Sequence, residues 1–468
     1  MSRSISPAAE YRRMTETPVP RLVILLSLPT VLSQMITSVY NMADTFFVTR
    51  LGDSAVGAVG IVYALQSIIQ AVGFGLAMGG GSLVSRRLGE RDNQSANRYA
   101  SSAFFAALLF GLLLTVGGLL NLDGLLRLFG STETILPYAR DYAFIILLGA
   151  PVMCSSFVLS NVLRAEGRST LAMVGLTAGG LLNIALDPLF IFGLHMGTAG
   201  AALATVLSQC VSFAILLAVY LSGRSIVKLS LRYVGRRAAD YALIVKTGLP
   251  TVFRQGLGSL STTLLNVQVS AYGDAAIAAV GIANKVYMLL RSFVLGVGHG
   301  FQPVAGYNYG AGKPRRVKQA FWTATIFGTV VAVTASAVLL LFPEAIIGLF
   351  QPETAEAAAI GARMLTFLGC AIPVLGYSTY VNQLYQSLGY VKGATFLASC
   401  RQGICFVPLI FLLPTVMGLD GILLTQTVSD ILTCLISIPF NIYFLKKVLS
   451  DDGLCVKRYR ERQSTLPQ

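Results

Sequence analysis

Three aspartates, Asp44, Asp187 and Asp430, interrupt long apolar stretches of the chain. A carboxylate buried among hydrocarbon is expensive, so each must face a cavity or a partner. Asp44 follows Asn41 by three residues, and Asp187 follows Asn183 by four. At these spacings each pair shares one face of a helix. Thr205 and Asn161 stand in neighbouring apolar stretches and add further oxygens. Carboxylate, amide and hydroxyl oxygens are hard ligands suited to a small hard cation, and carboxylates also take up protons. Pro188 has no N–H to bond the carbonyl of Ile184, which leaves one more oxygen beside the pair. The same groups can also satisfy one another as interhelical hydrogen bonds, and spacing leaves both readings open. The second half carries a different set: Arg254, Lys285, Arg291 and Arg401 stand in apolar surroundings with Asp430. One of these bases is expected to neutralise Asp430, either structurally or in a substrate or proton role, and spacing does not select which. His299, among glycines, reads as a packed or hydrogen-bonded side chain.

The elements that hold these residues are read from composition. Of 468 residues 54% are apolar and 12% charged, against about 25% charged in soluble domains. Spans of about 20 apolar residues cross a bilayer as helices. Twelve are expected, at 22–48, 55–83, 97–120, 136–161, 170–193, 198–222, 241–270, 275–305, 317–342, 357–387, 394–415 and 419–445. The expected fold is therefore all-α and integral to the membrane, with two pseudo-symmetric six-helix bundles. Residues 1–21 form an N-terminal segment, 22–222 an N-lobe and 223–240 a linker; 241–445 form a C-lobe and 446–468 a basic tail. Segment 22–48 is too long for a signal-peptide core and is read as a retained helix. Four of the 35 Lys and Arg stand deep within spans (Arg254, Lys285, Arg291 and Arg401) and four on one side (Arg50, Arg127, Arg140 and Arg363); the remaining 27 lie on, or at span ends facing, the side of both termini. Positive-inside bias then puts both termini in the cytoplasm. The net charge of +14 is topology, not a nucleic-acid surface. The seven cysteines form no C-x-x-C pair and read as packing residues, with Cys455 in the tail a free thiol.

The chain repeats itself at an offset near 221 residues. Gly52-Asp-Ser-Ala-Val-Gly-Ala-Val-Gly-Ile61 and Gly273-Asp-Ala-Ala-Ile-Ala-Ala-Val-Gly-Ile282 agree at seven of ten positions. Leu28-Pro29 answers Leu249-Pro250, Gly75 and Gly79 answer Gly296 and Gly300, and Gly200 answers Gly421. Each half has an even number of helices, so the halves are parallel repeats that can rock about a central cleft. The G-x-x-x-G pairs in the second and eighth helices allow close backbone approach, for packing or for bending.

Asn41-Met-Ala-Asp-Thr45 resembles the first-helix signature of multidrug and toxin extrusion (MATE) transporters. Asn183-x-x-x-Asp187-Pro188, Leu163-Arg-Ala-Glu-Gly167 and Gln302-Pro303 are similar to motifs at corresponding places in that family, and the resemblance covers residues 18–447. It implies an exporter in which inward cation flow, H⁺ or Na⁺, drives amphipathic drugs or toxic organic compounds outward by alternating access. It carries the family's cation site to Asp44, Asn183, Asp187 and Thr205, with Asn161 beside them. Some branches add a glutamate in the seventh helix and an aspartate in the tenth. Here the seventh reads Phe253-Arg-Gln-Gly256 and the tenth has no acid between Gly361 and Gly389, so a C-lobe cation site of that type is not expected. Arg254-Gln255 and Arg401-Gln402 resemble a branch with a basic C-lobe.

The expected cargo is cationic or amphipathic, held in a cleft with Gln34, Tyr40, Asn41 and Gln255; the C-lobe arginines widen this toward anions and zwitterions. No cofactor beyond the coupling ion, no nucleic acid and no second subunit are called for. The site of action is the plasma (inner) membrane. Two rivals remain. A lipid-precursor flippase of the same superfamily would use the intramembrane arginines. An intramembrane enzyme lacks its motifs: there is no H-E-x-x-H or G-x-S-x-G, and Gly306-Tyr-Asn-Tyr-Gly-Ala-Gly-Lys-Pro314 has the wrong spacing for a phosphate loop.

Overall fold

A computed structural model describes residues 6–352, 354–450, 453, 455 and 456; Arg3 and the basic run at 457–462 lie outside them. Among the described residues the secondary structure is helical, with no β-strand. A short α1 (Pro7–Glu16) precedes α2 (Val19–Thr49), α3 (Asp53–Gly89), α4 (Asn93–Leu120), α5 (Leu122–Leu128), α6 (Leu136–Ala165), α7 (Ser169–Pro188) and α8 (Gly197–Leu221). The second half runs α9 (Ala238–Ser270), α10 (Asp274–Gly310), α11 (Pro314–Leu341), α12 (Pro343–Gly348) and α13 (Ala355–Ser387). It ends with α14 (Val391–Ser399), α15 (Phe406–Met417) and α16 (Leu419–Lys447). π-helical turns follow α7 at Leu189–Gly193 and join α14 to α15 at Cys400–Ile404.

Every expected span is a helix. Among the described residues eleven are long and apolar enough to cross a membrane, the α14–α15 stretch counting as one. The twelfth, α9, has 33 residues; Lys246, Arg254 and Gln255 dilute its apolar run. Several helices continue past their apolar stretch. The second runs on to Gly89 and the fourth to Ala165, because apolarity marks the hydrocarbon and not where helical hydrogen bonding stops.

The chain separates into two compact units. The first takes the described residues up to Glu16 and Leu32–Val252; the second takes Thr17–Val31 and the described residues from Phe253 onward. In the first unit α6 is central, touching α3, α4, α7 and α8. In the second α13 holds the equivalent place among α10, α11 and α16. Two helices thus change unit along their length, α2 after Val31 and α9 after Val252, just beyond Pro29 and Pro250 of the repeat. The G-x-x-x-G pairs serve packing at these segments. A methyl group on Gly79 would meet the carbonyl of Ile244, and one on Gly300 the backbone of Ser27. The opening of α2 is also bonded to α10: Ser27 Oγ donates to the Val297 carbonyl at 3.2 Å, and Thr30 Oγ1 to that of Gly296 at 2.6 Å.

The expected linker lies against the first unit. Lys228 N donates to Asn97 Oδ1 at 2.8 Å, and Gly235 N to Ser102 Oγ at 2.8 Å. Glu166, fully buried just after α6, accepts from Ser225 Oγ at 2.6 Å and from the amides of Ile226 and Val227 at 2.9 and 3.3 Å. Burial pushes its carboxyl up to about 7, opposed by these hydrogen bonds and by the nearby Arg168.

Candidate ion and cargo site

Asn183 and Asp187 project from one face of α7 as their spacing requires. Asn183 Nδ2 donates to Asp187 Oδ1 at 3.3 Å and to Thr205 Oγ1 of α8 at 3.4 Å. Both Asn183 and Asp187 are buried. Immediately after Asp187, Pro188 withholds its N–H and the chain widens into the π-helical turn, a feature frequent at functional sites. Asp44 comes from α2. Its charge and that of Asp187 are within electrostatic reach of each other and of Tyr40 and Tyr142. Tyr142 in turn accepts from Gln66 Nε2 at 3.4 Å.

Satisfaction of this cluster is incomplete. Asp44 Oδ1, Asp187 Oδ2 and Asn183 Oδ1 are all buried without a hydrogen-bond partner. Buried acceptors are normally bonded, and a group of orphans in one place calls for an occupant. Three acceptors with no donor are what a cation or a proton satisfies. Among the described residues no three His, Cys, Asp or Glu side chains gather as a resident metal would need. The donors here are two carboxylates, an amide and a hydroxyl.

Not every expected member joins. Asn161 donates its amide to the Phe157 carbonyl of its own helix at 3.0 Å, because four residues is one helical turn and the acceptor is already at hand. Asn41 is exposed and donates to the Thr37 carbonyl at 2.8 Å. Gln34 and Tyr40 line a cavity within the first unit, together with Thr37, Asn183 and Thr205. Gln255 belongs to the second unit, half-buried on α9.

The second unit answers the question about Asp430. Arg401 Nε lies 2.7 Å from Asp430 Oδ1. Tyr287 donates to Oδ2 at 2.6 Å and Gln426 to Oδ1 at 2.8 Å, while Arg401 also bonds Tyr287. The backbone carbonyl of Arg401, inside the π-helical turn, accepts from Ser429 Oγ at 2.6 Å. Arg291 and Arg401 both stand within electrostatic reach of Arg254, so the pair formed by Arg401 and Asp430 lies in a basic neighbourhood. Lys285 is exposed.

The charged residue of the cavity wall is one that the sequence reading did not place there. Arg164 was counted with the cytoplasmic bases because the fourth span was expected to end at 161. The helix runs to Ala165 and Arg164 lines the cavity wall. The available signal was the absence of any helix breaker between Asn161 and Gly167.

The geometry agrees with known proteins. The MatE family profile matches twice, at residues 29–189 and 250–412, one match in each sequence repeat. The multidrug export protein MepA of Staphylococcus saprophyticus subsp. saprophyticus is 25% identical over 429 residues, covering 91% of this chain and 94% of its own. MepA of Staphylococcus haemolyticus is 24% identical over 438 residues, 93% of this chain and 96% of its own. Among solved structures, an outward-facing multidrug resistance MATE family transporter of the MOP superfamily superposes with a TM-score of 0.88 at 24% identity, covering 99% of this chain and all of its own. A MOP superfamily transporter from Pyrococcus furiosus, described as having a binding pocket of reversed polarity that suggests a different function, superposes with a TM-score of 0.87 at 25% identity. It covers 96% of this chain and all of its own.

Proposed function

The chain belongs to the MatE family, and from that premise we propose that it exports amphipathic organic compounds in exchange for a cation taken up at Asp44, Asn183, Asp187 and Thr205. It is a multi-pass membrane transporter of drug-like small molecules, not an enzyme. One observation carries the coupling: the orphaned acceptor oxygens of the bonded pair Asn183 and Asp187, with that of Asp44 within electrostatic reach of them. Two carboxylates that feel each other in a low-dielectric pocket do not both ionise readily. H⁺ or Na⁺ entering from outside neutralises the cluster, changes the hydrogen bonds that tie α7 to α8 and favours release of cargo. The cation then leaves inward, and the site is reset for the next molecule. The bias of basic residues supports a plasma (inner) membrane location with both termini cytoplasmic.

The test is transport in proteoliposomes with H⁺ and Na⁺ gradients imposed separately. Uptake driven by one gradient, and lost in Asp44→Asn and Asp187→Asn, is the expected result. Equal transport by both variants and the wild type removes the coupling scheme. A second reading rests on the basic group that Arg254 forms with Arg291 and Arg401: a flippase that carries an anionic lipid-linked precursor, in keeping with the reversed polarity described for the P. furiosus protein. Movement of a labelled lipid precursor across vesicles, without dye export, selects that reading.

A further inference from the structure

The wall of the first unit's cavity carries a charge that cation uptake leaves unused. Phe157, Ser160 and Arg164 follow one another along one face of α6 and line the cavity. Arg164 is 4% exposed. Its Nε has no hydrogen-bond partner, and no acidic side chain among the described residues acts on its charge. A carboxylate stands only two residues away, yet it is engaged elsewhere. Glu166 accepts from Ser225 Oγ and from the amides of Ile226 and Val227, and its ion pair, at 3.8 Å, is with Arg168. A buried guanidinium without an anion is costly to maintain, so the bare charge calls for a use.

Its position suggests one. Arg164 lies in the last turn of α6, on the side where Arg13 of α1 reaches the carbonyl of Gly167. After that turn α7 begins at Ser169, and Asn183 stands fourteen residues into it, about 20 Å further along by helical rise. Arg164 and Asn183 both line the cavity, so the base and the acceptors leading to Asp187 are set far apart along it. The repeat supplies an independent observation. The central helices α6 and α13 each close on a glycine of positive φ, Gly167 at 85° and Gly389 at 81°. Arg164 stands three residues before the first glycine, and Gln386 three before the second. Leu265 answers Asp44, and Val407, before Pro408, answers Asp187 before Pro188. The bare charge is present in the unit that has the acid pair, and a neutral amide takes its place in the unit that does not.

A fixed positive charge in a narrow, low-dielectric space repels other cations, as an arginine does in pores that exclude them. We propose that Arg164 is such a barrier: it stops H⁺ or Na⁺ at Asp44 and Asp187 from running on along the cavity, past the end of α6, without exchange for cargo. Passage of the cation is thereby confined to the rearranged protein, which keeps the exchange tight. The inference rests on the reading of Asp44, Asn183, Asp187 and Thr205 as the cation site, and adds the residue that prevents slip there.

The experiment is passive cation entry into proteoliposomes of the purified full-length protein, with no cargo present and a potassium–valinomycin potential, negative inside. Trapped pyranine follows H⁺, and radioactive sodium follows Na⁺. Wild type, Arg164→Lys, Arg164→Gln and Ser160→Asp are compared, the last placing an acid one turn from Arg164 on the same wall. Arg164→Gln is expected to leak the coupling cation about tenfold faster than the wild type, the effect of one unit charge acting over about 12 Å at an effective dielectric constant near 20. Ser160→Asp neutralises the charge with the guanidinium still in place and should leak likewise, whereas Arg164→Lys should stay as tight as the wild type. Where Arg164→Gln is not recovered as a monodisperse protein, Ser160→Asp decides alone. Three results overturn the proposal: Arg164→Gln and Ser160→Asp both as tight as the wild type, Arg164→Lys leaking as much as Arg164→Gln, or chloride leak rising equally with that of the cation. Failure of the cation-site reading shows differently, in undiminished cargo transport by Asp44→Asn and Asp187→Asn, a measurement that does not involve Arg164.

Discussion

At the scale of single residues, the buried aspartates divide by their neighbours. Asp430 is neutralised by Arg401 and bonded by Tyr287 and Gln426, whereas no base pairs with Asp44 or Asp187 among the described residues. The same substitution should therefore have opposite effects. Asp430→Asn strands Arg401 beside Arg254 and Arg291 and is expected to cost about 3–5 kcal/mol, as removal of one member of a buried pair does. Asp187→Asn keeps an acceptor for Asn183 and removes an unpaired buried charge, so stability should hold within about 1 kcal/mol or rise while coupled transport is lost. Thermal unfolding of the purified variants measures both; a larger loss in Asp187→Asn than in Asp430→Asn contradicts this division. The pairing of Asn183 with Asp187 was legible in the sequence because four residues is a helical turn. The approach of Asp44 was not, since it depends on how α2 meets α7. The sequence likewise could not choose Arg401 over three other bases, because that choice is made by a π-helical turn with no local signature.

At the scale of elements, the spans themselves were legible from apolarity, and the pieces outside the hydrocarbon were not. Helix α1 was read only as a polar segment, because Met14 is the one apolar residue among its buried positions. It nevertheless bears on the loop between α6 and α7, where Arg13 pairs with Glu10 at 2.8 Å and reaches the Gly167 carbonyl. Burial raises the carboxyl of Glu10 as it does that of Glu166. The sign of the pH effect follows. A carboxyl whose folded value rises from 4.5 to about 7 binds its proton more tightly in the folded state. Its contribution to stability is complete below about 4.5 and is lost as pH rises through about 7. At about 1.4 kcal/mol per pH unit the full effect is about 3 kcal/mol. The wild type should lose thermal stability between pH 5 and pH 8, by roughly this amount at most, and Glu166→Gln should flatten that slope. A wild-type profile that is level over the same range removes Glu166 from this role. The tight helix contacts give a second expectation. Gly79→Val and Gly300→Val each force backbones apart and should cost about 1–3 kcal/mol or more, read as a lower unfolding temperature; unchanged melting of both means the segments separate freely.

At the scale of the whole molecule, the repeat is deeper than the sequence identity suggested. The offset of 221 residues carries even the short loop helices onto one another, α5 from Leu122 and α12 from Pro343. What the offset could not reveal is that the chain's two units are not its two sequence halves. Contacts assign the opening of α2 to the second unit and the opening of α9 to the first; each opening packs against a glycine distant in sequence, Ser27 at Gly300 and Ile244 at Gly79. Residues 1–222 made alone would lack the α10 carbonyls to which Ser27 and Thr30 donate. Expressed as separate pieces, 1–222 and 223–468 should each be degraded, and their co-expression should restore dye export; stable accumulation of 1–222 alone would argue against this division.

The crossing of α2 also bears on how the protein is made. Val297, which accepts from Ser27, lies 270 residues further along the chain. At about 5–20 residues per second the ribosome needs roughly 14–54 s to reach it. For that interval the first membrane helix is already inserted but has no final neighbour for its leading turns. Its serine and threonine must be held by lipid-facing contacts of its own backbone, or by the insertion machinery, until α10 emerges. The opening of α2 is therefore synthesised early and seated late.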